Sequence, residues 1–156
     1  MKITQEWFDE PGAATEPTAE VAVTLVGQGA DGVLKKKSTV ARLRYVGEKD
    51  MILAKTAARM WLAKNAPGLQ QAFVLDLLLQ VERPFILAAG LADAEDAAVN
   101  FFMSRGGQQP GEVAMEHLVY REAQRLLEAW EAFIDQEFPL IPTPAQQEGT
   151  TEEAGK

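Results

Sequence analysis

The feature that most constrains this chain is a change of hydrophobic period at Gly47. Before it, apolar residues alternate. Residues 20–27 read EVAVTLVG, with Val21, Val23 and Leu25 interleaved with Ala22, Thr24 and Val26. A period of two with β-branched enrichment is strand patterning. Gln28-Gly29-Ala30-Asp31-Gly32 follows, a glycine-rich turn whose Asp-Gly pair suits positive φ. About Ser38–Val46 alternates again, with Ala41, Leu43 and Tyr45 facing one way and Arg42 and Arg44 the other. These runs predict a β-hairpin over 20–46 with one wet, basic face. A lone hairpin is marginal in water, so it must lie on helices or pair with another chain.

After Gly47 the period becomes helical. Met51, Ala54, Ala58, Trp61 and Leu62 share one arc, with Leu53, Ala57 and Met60 beside it and Lys49, Lys55, Thr56 and Arg59 opposite. Asn65-Ala66-Pro67-Gly68 stops this helix. A second helix is predicted over about 69–82, ending at Arg83-Pro84. Phe73, Val74, Leu77, Leu78 and Val81 run most of the way round it, which marks it as the central buried helix. Phe85–Leu91 reads as a short apolar turn of helix broken at Gly90. Asp93 then caps a third helix to about Ser104, with Glu95 and Asp96 suiting its dipole. Arg105–Gly111 is a loop. Glu112–Glu137 carries the longest amphipathic stripe, Met115, Leu118, Val119, Leu126, Trp130 and Phe133, flanked by Ala123 and Ile134. It predicts one helix of about 39 Å at 1.5 Å per residue. The fold class is α+β: an N-terminal hairpin, a bundle of about four helices and a disordered C-terminal tail. The domain organisation is a flexible lead segment over 1–19, one globular domain over 20–138 and a tail over 139–156, whose Pro, Gln, Glu and Thr content cannot support a core. In the lead segment, Trp7-Phe8 is either an aromatic anchor folded onto the core or a short linear motif for a partner.

Composition excludes several classes of function. The 156 residues hold 15 Lys+Arg and 23 Asp+Glu, net −8, against nucleic-acid binding by global charge. No cysteine is present, which removes disulfides, thiolate zinc sites and cysteine nucleophiles. Met1–Glu10 has no signal-peptide pattern, and no apolar run is long enough to span a membrane, so a cytoplasmic location is expected. No P-loop, GxGxxG, HExxH or EF-hand loop appears. One histidine and two serines, Ser38 and Ser104, are present, and neither serine sits in a nucleophile-elbow motif. His117 falls on the polar arc of the long helix and reads as a surface histidine, with no second histidine to share a metal. Glu122 projects into the apolar stripe. It is either a stripe-edge carboxylate paired with Arg125, three residues on, or a buried functional carboxylate. Asp93, Glu95 and Asp96 read as capping residues, not cation ligands. No metal or cofactor is expected.

Charge is segregated along the chain. Residues 33–64 hold nine basic and two acidic residues, net +7, whereas residues 1–32 are net −5 and residues 65–156 net −10. Ordinary solvated faces would account for this. So would a surface for an acidic partner, or head-to-tail self-association. Lys35-Lys36-Lys37 has no interleaved aromatics to stack on bases, which disfavours nucleic acid.

The order of parts carries a resemblance. A hairpin of the type VAVTLVG…STVARLRYV runs through Gly47-Glu48-Lys49-Asp50 into a helix, then an apolar helical body and a polar tail. Over about residues 20–137 this architecture resembles the tail assembly chaperones of long-tailed bacteriophages. Gly155-Lys156, after the tail, resembles the Gly-Lys that a programmed −1 slip sequence can encode, which implies a longer fusion product. The resemblance implies a phage- or prophage-encoded, non-enzymatic protein of the host cytoplasm that coats the hydrophobic tape-measure protein, its extended form recruiting tail-tube protein. The apolar binding surface would come from Trp61, Phe101, Phe102, Met103, Trp130 and Phe133, and Lys35, Lys36, Lys37, Lys55 and Arg59 would serve an acidic partner face. The alternatives are a small regulatory or inhibitory binding protein of a bacterial or phage complex, and an enzyme using carboxylates such as Glu122.

Overall fold

The computed structural model describes residues 2–68 and 71–138 of the chain. Strands β1 (Ala19–Gln28) and β2 (Leu34–Leu43) form the hairpin, with Ala19 opposite Leu43 and Gln28 opposite Leu34. Its loop is Gly29–Val33, closed by Gly29 N–H donating to the Val33 carbonyl, with Gly32 at φ +76°. Helices α1 (Glu48–Asn65) and α2 (Gln71–Gly90) follow, then the three-residue strand β3 (Leu91–Asp93), α3 (Pro110–His117) and α4 (Tyr120–Glu137). The sheet order is β1-β2-β3, antiparallel throughout. The architecture is α+β, a hairpin start with four helices. The tail expected over 139–156 lies outside the described residues.

The inner sheet face carries Val23, Ala41 and Leu43 onto Leu87 and Ala88 of α2, Val113 and Ala114 of α3, and Ala123, Leu126, Trp130 and Phe133 of α4. Trp130 donates its Nε1–H to the Arg44 carbonyl at 2.9 Å. Gly90 permits this, because a Cβ there would stand 2.7 Å from that nitrogen. A smaller cluster joins Ala54 and Ala58 of α1 to Phe85, with Trp61, Val81 and Met115 around it.

Five expectations are corrected. Pro84 does not end α2, which runs on to Gly90. Its missing N–H leaves the Gln80 carbonyl without a helical donor, but Phe85, Leu87 and Ala88 beyond it are buried, and core packing outweighs the lost bond. There is no helix over 93–104. Asp93 does accept from Glu95 and Asp96 N–H as a cap would. However, Asp93 N–H donates to Val99 and Phe101 N–H to Leu91, so the chain folds back along β3. That loop takes the side chains of the expected wet face: Arg42 donates to the Ala94 carbonyl at 2.9 Å and Arg44 to that of Ala97 at 3.3 Å, and both arginines are half-buried. The 26-residue helix is two helices, parted by extended Leu118 and Val119. Finally, Trp7 and Phe8 are no core anchor. They sit in a 3-10 turn over Gln5–Asp9 with no buried residue, stacked edge to face on each other at 4.9 Å.

Candidate functional site

The break at Leu118–Val119 is explained by what α3 and α4 do to the hairpin. β1 is an edge strand, and its even-numbered residues turn their backbone groups away from β2. Those groups meet side chains. The Ala22 carbonyl accepts from Arg125, Thr24 N–H donates to Glu122 Oε2 at 2.6 Å, and the Val26 carbonyl accepts from His117 Nδ1 at 2.8 Å. Three side chains thus stand in for a fourth strand and close an edge that would otherwise recruit another chain. In one straight helix His117 and Glu122 would point about 140° apart, and they could not both reach one edge. The two extended residues bring them round.

His117 is therefore no free surface histidine. The Val26 carbonyl can only accept and Arg105, 3.0 Å from Nε2, can only donate, so Nδ1 carries the hydrogen. Glu122 is 8% exposed and meets Arg125 Nε at 2.6 Å, as its spacing predicts. The Arg125 hydrogen bond holds the Glu122 carboxyl below its ordinary range. Burial opposes that shift and the Thr24 N–H adds to it. Glu122 is thus engaged from two sides, by Arg125 and by the Thr24 N–H. Among the described residues, no group of three or more His, Asp or Glu is placed to hold a metal ion, and no helix is long and apolar enough to cross a membrane.

The side chains proposed for partner binding fall in three places. Lys55 and Arg59 lie exposed on the outer face of α1. Lys37, Phe101, Phe102 and Met103 line one groove of about 390 Å³ under the hairpin tip, with Lys35 and Lys36 beside it on β2. Phe102, however, is 3% exposed and belongs to the core, whereas Met103 is 66% exposed. Trp61 stands elsewhere, at a cavity of about 430 Å³ between the end of α1, the middle of α2 and the α3–α4 junction.

That second cavity is the better-built apolar site. Trp61, Leu77, Val81, Met115 and Leu118 line it. Its polar residues are Asn65, Gln80, Tyr120 and Arg83, whose guanidinium lies over the Tyr120 ring at 5.2 Å and whose Nε has no partner among the described residues. A stripe leads into it. Phe73, Leu77 and Val81 follow at four-residue intervals along α2, and Phe73 is 56% exposed. On the opposite face of α2 Leu75 and Leu79 are 67% and 71% exposed. The expectation that the helix over about 69–82 is the central buried one is therefore corrected: of residues 73–82 only Leu78 is buried, and the buried stretch of α2 is Pro84–Gly90. The missed signal is in the pattern: a first half apolar on every side has more surface than the single neighbouring α1 can cover. Trp130 and Phe133, offered for the same surface, lie in the core. No family model, no curated protein and no solved structure matches this chain.

Proposed function

We infer that this chain is a non-enzymatic assembly chaperone of the long-tailed phage kind, which shields an amphipathic helical segment of a partner, the tape-measure protein, until it assembles. The observation that supports this reading is the Phe73–Leu77–Val81 stripe running into the Trp61–Met115 cavity, its Phe73 and Leu77 exposed. Contiguous exposed apolar surface of this kind marks an interaction site. An amphipathic helix laid along α2 would present residues at three- and four-residue intervals to that stripe, with one large apolar side chain in the cavity. The flexible Met115 in the lining tolerates variable partners. Extension of the chain past its tail would add recruitment of tail-tube protein.

Co-expression tests this reading. A tape-measure protein from the same genome is expected to be soluble with this chain and insoluble without it, and Phe73→Glu with Leu77→Asp is expected to abolish the rescue. Binding should carry a negative heat-capacity change, as burial of apolar surface does. If the partner's solubility is the same with and without the chain, the reading is wrong.

A further inference from the structure

The two free edges of the sheet are treated differently. The β1 edge is closed by Arg125, Glu122 and His117. The opposite edge belongs to β2, and β3 covers it only at Ala41–Leu43. Register fixes which groups remain open. Thr24 pairs with Ser38, and Thr24 N–H points away from β2, so the even-numbered residues form the non-hydrogen-bonded pairs. Arg44 N–H donating to the Gly90 carbonyl on the far side has the same parity. The backbone groups of Lys36 and Ser38 and the N–H of Val40 therefore point outward, and none has a partner among the described residues. Every residue from Asp31 to Val40 is exposed. The side chains here are Lys35, Lys36 and Lys37, and among the described residues only Lys35 has an acidic neighbour, Asp31 at 3.5 Å. Beneath the edge lies the groove of Leu25, Thr39, Phe101 and Met103.

This edge rejects a second copy of itself, because antiparallel pairing would set lysine against lysine. It suits an extended segment that is acidic and carries a large apolar residue. The chain holds one. Residues 2–10 read KITQEWFDE, with Glu6, Asp9 and Glu10 around Trp7 and Phe8. In the structure this arm touches no core residue, and its 3-10 turn buries nothing, so extending it costs little. Residues 10–18 link it to β1 with a reach of about 30 Å.

We propose that the arm of one copy, residues 2–10, adds as a strand to the open β2 edge of a second copy, with its acidic residues against Lys35–Lys37 and an aromatic side chain in the Phe101–Met103 groove. The contact is heterologous. Reciprocal exchange closes a dimer, and one-way exchange gives open chains. The proposal stands apart from the helical-partner reading, which uses α2.

Sedimentation velocity of the full chain, with amide hydrogen exchange, tests it. The chain should associate as concentration rises, and the amides of Lys36, Ser38 and Val40 should slow in step. Trp7→Ala with Phe8→Ala should abolish both effects. Ser38→Pro removes an outward N–H that the β1–β2 ladder does not use, and should weaken association about five- to tenfold while the Val23 and Ala41 amides keep their protection. Lys35→Gln, Lys36→Gln and Lys37→Gln together should weaken it most at low salt. A synthetic peptide of residues 1–12, added to the Trp7→Ala, Phe8→Ala protein, should restore protection at the three amides. A chain that stays monomeric at millimolar concentration overturns the proposal. So does association that survives Ser38→Pro unchanged, or that is lost with Leu75→Glu instead. Slow amides in a monomer would mean that the arm docks on its own copy, which also overturns it.

Discussion

Replacing Glu122 probes the closure of the β1 edge. Glu122→Ala removes the acceptor of a 2.6 Å bond from Thr24 N–H and the partner of Arg125 Nε, also at 2.6 Å. A hydrogen bond to a charged group is worth about 1.5–3 kcal/mol. The ion pair adds little, because the Arg125 side chain is half exposed, and a screened pair contributes at most about 1 kcal/mol. The sum for Glu122→Ala is about 1.5–4 kcal/mol. Glu122→Gln keeps an acceptor for Thr24 but loses the charge, and should cost about 1–1.5 kcal/mol. The pH dependence separates charge from shape. Arg125 depresses the folded carboxyl against the cost of burial. A carboxyl that binds its proton less readily when folded stabilises the fold wherever it is ionised. Its contribution is therefore complete above the ordinary glutamate pKa of about 4.3 and is lost as pH falls through the lower folded value. Urea melts followed by tryptophan fluorescence should show the gap between wild type and Glu122→Gln at pH 7, narrowing steadily as pH drops below about 4. A gap that stays constant down to pH 3 would refute the assigned role of the charge. A Glu122→Ala cost under about 0.5 kcal/mol, the range of an ordinary surface change, would refute the role of the edge contact itself.

Three further substitutions follow from the packing. Gly111→Ala places a Cβ inside the ring of buried Phe85, and should destabilise by about 1–3 kcal/mol in denaturant melts, with Phe85→Leu restoring part of the loss. His117→Ala removes the donor to the Val26 carbonyl and should cost about 1 kcal/mol, with faster exchange along β1; a neutral result would return His117 to the surface class. Trp130→Ala should cost about 3–5 kcal/mol, and Trp130→Phe, which mainly loses the bond to the Arg44 carbonyl, clearly less; equal losses would mean that the hydrogen bond dominates.

The parts of the fold legible in the sequence were those decided by local periodicity. The alternation at Val21–Leu25, the Asp31-Gly32 turn and the Ala54-Ala58-Leu62 arc all sit where their patterns put them. So does the Glu122–Arg125 pair, which is a matter of helical spacing. What failed was decided at long range. Pro84 reads as a stop, and only the buried residues beyond it carry the helix on. Leu118–Val119 carries no breaker, and the break exists to serve strand atoms some ninety residues earlier. Residues 94–109 have the composition of a helix followed by a loop, yet β3 and the two hairpin arginines claim the backbone carbonyls that a helix would have used. For the candidate site, periodicity did not separate surface from core: of the residues offered as an apolar surface, Phe102, Trp130 and Phe133 are buried, Trp61 and Phe101 half-buried and Met103 exposed, and the uncovered half of α2 was not legible either. Burial of an all-apolar helix depends on how many neighbours reach it, and sequence does not count neighbours.

The side chains that close β1 also impose an order in time. Thr24 waits for Glu122 across 98 positions and Ala22 for Arg125 across 103. A ribosome adding about 5–20 residues per second leaves the hairpin without its cover for many seconds, until α4 has been made. Through that interval both edges of the hairpin are sticky, and the three lysines on β2 are the protection present from the start. Slower translation between residues 30 and 125 should therefore raise the aggregated fraction of newly made chain without changing the stability of the finished fold.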